Sequence, residues 1–75
     1  MSAAIREWNY TQLPKGVYCA YVREHHWEGH YIFRAHPDSG GFCWEFISEN
    51  LQEVLDRAEA FTHGVKDDKI YSASY

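Results

Sequence analysis

Five histidines stand out in this chain of 75 residues, and three of them fall within the run His25-His26-Trp27-Glu28-Gly29-His30. Imidazoles beside a carboxylate are ligands for zinc or copper. A turn at Glu28-Gly29 would set His26 and His30 across from one another, which makes them the metal candidates; His36 and His63 stand apart. A closed zinc site needs four ligands at recognisable spacing. Neither a cysteine pair nor a helical histidine repeat completes one here, so the expectation is a solvated turn with no metal and no cofactor. Histidines that titrate near neutrality also suit a pH-sensitive surface.

Cys19 and Cys43 are the only thiols. They fall on the first and third of three consecutive strand-like segments, so the middle strand would hold them roughly 9–10 Å apart. Disulfide reach ends near about 7 Å between Cα atoms. Buried thiols follow, one of them placed by the expected register opposite His36. A thiol beside an imidazole is a nucleophile with its base, but no third group or oxyanion pocket is legible, and a strand cysteine ordinarily behaves as a small hydrophobe.

A third pattern is acidic. Glu49, Glu53 and Asp56 recur at spacings that align them along one side of a helix, with Glu59 nearby and Arg57 the only base. A Glu53 to Arg57 pair at i,i+4 makes this an ordinary solvated face. The same stripe suits a contact surface that blocks a basic groove on another protein. Aromatics offer further anchors: three tryptophans, six tyrosines and four phenylalanines are more than so short a chain can bury. Trp27 and Tyr75 join Glu49, Glu53 and Asp56 as the candidate partner-binding residues, because exposed Trp and Tyr anchor interfaces.

The elements that must position these groups are legible from periodicity. Val17 to Arg23, His30 to His36 and Phe42 to Ser48 are rich in β-branched and aromatic residues and predict three strands of a meander. Pro37-Asp38-Ser39-Gly40-Gly41 carries the turn between the last two. Alternation puts Tyr31, Phe33 and Ala35 on one side with Phe42, Trp44 and Phe46, in a register that sets Arg34 opposite Glu45 and Phe33 opposite Phe46. Leu51, Val54, Leu55, Ala58 and Phe61 recur at helical spacing and predict a helix over that aromatic face. Asn50 and Glu53 can form its capping box, and Gly64 its left-handed stop. Tyr71, Ala73 and Tyr75 alternate with serines and Ile70, which predicts a final strand without naming its partner. Met1 to Gly16 is mixed, and Lys66-Asp67-Asp68-Lys69 has the composition of a fully solvated run. The fold class is therefore α+β: residues 1–75 form one small domain, an antiparallel meander of three or four strands packed against one helix, with a possible C-terminal strand.

Composition narrows the function classes. Seven basic against eleven acidic residues leave a charge of −4, with the basic residues scattered along the chain. A surface that tracks phosphates needs them clustered, so no direct nucleic-acid binding is expected. No apolar run approaches bilayer length, and no basic segment leads into an apolar one at the amino terminus. A soluble cytoplasmic protein is expected, with a homodimer left open.

Tyr31, Pro37, Asp38, Gly41, Leu51, Glu53 and Leu55, taken with the strand, turn and helix order from about Val17 to Phe61, resemble small antitoxin domains of the HicB-like class. That resemblance implies a non-enzymatic protein that sequesters a toxin ribonuclease, as an oligomer. In size and charge the chain is also similar to phage-encoded inhibitors of bacterial defence systems, anti-CRISPR proteins among them. Both point to a protein-binding module that inhibits or sequesters a nucleic-acid-handling partner. The alternatives are a histidine-cluster metal-binding protein and a small cysteine-dependent enzyme.

Overall fold

The computed structural model describes residues 4–74. Its strands are β1 (Arg6–Trp8), β2 (Val17–Glu24), β3 (Tyr31–Pro37), β4 (Phe42–Ser48) and β5 (Tyr71–Ser74), with one α-helix, α1 (Leu51–Thr62), between the last two. They form a single antiparallel sheet in the order β1-β2-β3-β4-β5. The α+β meander under one helix is thus as the periodicity predicts, and the final strand lies against β4.

The mixed amino-terminal segment adds a strand that alternation did not mark. Three residues are too few to show a period, and β1 is held by pairing with β2 and by Trp8, which is buried against Phe33 with ring centroids 6.2 Å apart. A 3-10 turn at Tyr10–Gln12 follows.

Two local devices set the helix. At its start the Asn50 side chain accepts from the Glu53 amide at 3.1 Å, while the Glu53 carboxylate is taken by the Ser48 hydroxyl at 2.8 Å, so the capping box is made on one side only. At its end Gly64 (φ 83°) turns left-handed, and the amides of Gly64 and Val65 bond back to the carbonyls of Phe61 and Ala60. That pattern satisfies carbonyls the helix would otherwise leave open.

The helix lies over β3, β4 and β2. Between the layers sit Trp8, Val17, Ala20, Val22, Phe33, Ala35, Phe46, Val54 and Ala58, with Trp44, Leu51, Leu55 and Phe61 packed around them. Phe33 is at the centre, fully buried and crossed by Phe61 at 5.4 Å. The Phe33 to Phe46 and Arg34 to Glu45 registers are as alternation predicts.

One expectation changes. Asp67 is not solvated: it accepts from Arg57 of the helix and from the Lys69 amide, and its carbonyl holds the Ile70 amide. This staple fixes the segment that delivers β5 to the sheet edge.

Candidate functional site

Antiparallel register brings five residues from five strands into one transverse row. Glu7 pairs with Tyr21, Tyr21 with Arg34, Arg34 with Glu45, and Glu45 with Tyr71. Pairing partners share a face, so this row runs across the side of the sheet opposite the helix. Among the described residues no helix covers that side.

The middle of the row is rigid. Arg34 Nε donates to Glu45 Oε2 at 2.6 Å, and the Cys43 thiol donates to the same oxygen at 3.7 Å. Glu45 is only 9% exposed, and a nearly buried carboxylate is tolerable because it is charge-paired and hydrogen-bonded. Burial alone would lower the Arg34 pKa, but hydrogen bonds with Glu45 and Tyr21 outweigh it and hold the guanidinium above its ordinary value. Burial, then the charge of Glu45 and a hydrogen bond to it, push the Tyr71 phenol up. Tyr71 is therefore a neutral donor.

Beside this row lies an aromatic group. The pairing of β2 with β3 shifts between Val17 and Cys19. That irregularity leaves Tyr18 on the same side as Tyr21, so the two rings flank His36 at 6.1 and 5.7 Å. The Tyr21 hydroxyl and His36 Nε2 are 3.2 Å apart. Burial, then the positive charges of Arg34 and Arg23, lower the His36 pKa. Arg23 lies over the Tyr21 ring at 5.2 Å. Ile32 is 1% exposed on this face, and it shares a depression of about 280 Å³ with Arg23, His25 and Arg34. Tyr18 and Tyr71 remain 51% and 45% exposed.

The thiols do not look activated. Burial, then the charge of Glu45, raises the Cys43 pKa, and burial followed by Glu7 raises that of Cys19. A catalytic cysteine needs the opposite shift. Both are free, on strands separated by β3.

The histidine run forms the tip of the β2–β3 hairpin, where the His25 amide donates to the His30 carbonyl and it is His25, not His26, that faces His30. Four residues lie between the paired His25 and His30, where a His26 to His30 pairing would leave three, so the pairing moves by one position. His25 and His26 stack at 4.1 Å, with Trp27 edge-on to His25 at 4.5 Å. Trp27 is 55% exposed. His30 presents Nδ1 to the Glu28 carbonyl at 3.1 Å and Nε2 to Glu49 at 3.4 Å. Among the described residues no three His, Cys, Asp or Glu side chains are placed to hold a metal ion.

The acidic side of the helix is engaged within the molecule. Glu53 meets Ser48 and Arg57, Asp56 accepts from the Gln52 amide group at 2.9 Å, and Glu59 takes Arg6 at 3.2 Å together with the Trp8 indole N–H. Glu49 and Asp56 remain exposed. Tyr75 lies outside the described residues. A groove of about 450 Å³ lies elsewhere, lined by Val17, Trp44, Phe61 and Ile70 with Lys15 and Asp68. Among the described residues no nucleophile with a base converges there.

Sequence reasoning singled out Trp27 but not Tyr18, Tyr21 or Arg23. The Arg34 to Glu45 pairing was the available signal for a polar row. Its extension to Glu7 and Tyr71 required strands whose pairing no local pattern specifies. No family model matches the chain, and it matches no curated protein and no solved structure.

Proposed function

We propose that this chain is a non-enzymatic binding module that docks a partner protein on the open face of its sheet and thereby inhibits or sequesters it. The observation that carries the reading is the composition of that face. Tyr18, Tyr21, Tyr71 and Arg23 surround a preordered Arg34–Glu45 pair, and Tyr and Arg are the residue types that dominate binding energy at interfaces. Rings held on strands lose little freedom on binding, so less of the contact energy goes to ordering them. Trp27 extends the face at the hairpin tip.

The finer reading is that the partner is a basic, nucleic-acid-handling protein. A net charge of −4, with Glu49 and Asp56 exposed, supports it because a negative field steers association with a positive surface. The partial likeness to HicB-like antitoxins and to phage inhibitors agrees with that class of partner.

The test is capture from bacterial lysate, followed by identification of the bound protein and direct titration with it. Tyr18→Ala/Tyr21→Ala/Tyr71→Ala should abolish capture, while Glu49→Lys/Asp56→Lys should keep the partner with slower, more salt-tolerant association. Loss in the helix variant with retention in the tyrosine variant would move the docking surface to the helix. A partner without nucleic-acid-handling activity would sink the finer reading.

A further inference from the structure

The two edges of the sheet are built differently. β1 is three residues long and carries the charges of Arg6 and Glu7, devices that discourage another strand from adding. β5 has none. From Ile70 to Tyr75 there is neither a charge nor a proline, and Tyr71, Ser72 and Ser74 are exposed. A bare edge strand is a template for pairing, because one row of its backbone N–H and C=O groups has no neighbouring strand.

The sequence of this edge is also its own complement. Tyr71-Ser72-Ala73-Ser74-Tyr75 reads identically in both directions. An antiparallel pair related by a two-fold axis through Ala73 sets Ala73 opposite Ala73 and Ser72 opposite Ser74. A two-fold interface must be self-complementary in this way. Cross-strand Ser pairs stabilise adjacent strands, and no like charges meet. Strand parity keeps Tyr71 and Ala73 on the open face and Ser72 and Ser74 on the side of the helix.

We propose that β5 is a homodimerisation edge, pairing with β5 of a second copy so that the two sheets join into one continuous antiparallel sheet. The joined sheet places the open faces of both copies side by side, with Tyr71 next to the junction. One strand pair buries less than the roughly 1,200–2,000 Å² of a standard stable interface. The dimer is accordingly weak and concentration-dependent.

Sedimentation equilibrium of the full chain, from low micromolar to near-millimolar concentration, tests this. The wild type should pass from monomer to dimer. S72K/S74K sets introduced lysines opposite one another and should weaken association at least about tenfold. S72K/S74E sets an introduced lysine opposite an introduced glutamate and should dimerise at least as well as the wild type. All substituted positions are exposed, and circular dichroism checks that each variant keeps its fold. A wild type that stays monomeric throughout would overturn the proposal, as would S72K/S74K dimerising like the wild type or S72K/S74E no better than S72K/S74K. Hydrogen exchange of the wild type reads the edge without any variant. β5 amides should gain protection with concentration while β1 amides do not, and protection independent of concentration would count against the pairing.

Discussion

Arg34 and Glu45 meet across β3 and β4 at 2.6 Å, on the face of the sheet that the helix leaves open. The carboxylate is the more deeply held partner, its side chain 11% exposed against 32% for Arg34. Removing the cation therefore leaves a nearly buried anion without its counter-charge. Arg34→Met should cost about 2 kcal/mol, below the 3–5 of a fully buried pair because Arg34 reaches solvent. The double variant Arg34→Met/Glu45→Leu should cost less than Arg34→Met alone, since it strands no charge. Urea unfolding of the wild type, Arg34→Met, Glu45→Leu and the double variant measures this; a double variant at the sum of the two single costs would mean the pair carries no coupling.

The core prediction follows from Phe33, which has no exposed surface and touches both Trp8 and Phe61. Phe33→Ala leaves a cavity that neighbours on three elements cannot all collapse into. The expected loss is about 3–5 kcal/mol, most of what a domain this small possesses. Trp27→Ala, at the hairpin tip, should change stability by less than about 0.5 kcal/mol. Thermal melts of the two variants should separate widely.

Asp67 organises the approach to β5 by holding Arg57 and the Lys69 amide at once. Hydrogen bonding by the Lys69 backbone, then by Arg57, outweighs burial and lowers the carboxyl pKa from its ordinary 3.8. Asp67→Ala should loosen β5 while leaving the centre of the sheet intact. Hydrogen exchange at low protein concentration should show faster exchange at Ser72 and Ala73 and unchanged protection at Phe33. Equal acceleration in both would mean that β5 and the core open together.

His36 and His25 should make stability fall on mild acidification. Burial lowers both below the ordinary value of 6.5, with Arg34 and Arg23 adding to the effect at His36 and His26 and Arg34 at His25. The unfolded chain then binds more protons than the folded one as pH drops through 6.5, so stability present above that pH is lost below it. Urea midpoints measured from pH 7.5 down to pH 5 should decline, and His36→Gln should flatten the decline. A midpoint that rises toward pH 5 would contradict this assignment.

Much of the scaffold could be read from the chain itself. Alternation in β3 and β4 and the 3.6-residue period of α1 are local signals, and they determined the core face, the Phe33 to Phe46 register and the position of the helix. The turn chemistry of Pro37 to Gly41 and the left-handed Gly64 are local too, because each depends on the conformational range of one or two residues. The tertiary structure alone decided what depends on pairing between distant segments. β1 is too short to show a period and exists because β2 offers it an edge; β5 shows a period but not its neighbour. The row from Glu7 to Tyr71 needs both strands, so it was beyond any local reading. Asp67 illustrates the same limit: among Lys66, Asp68 and Lys69 its composition says solvent, and only the position of Arg57 on the folded helix makes it a structural contact.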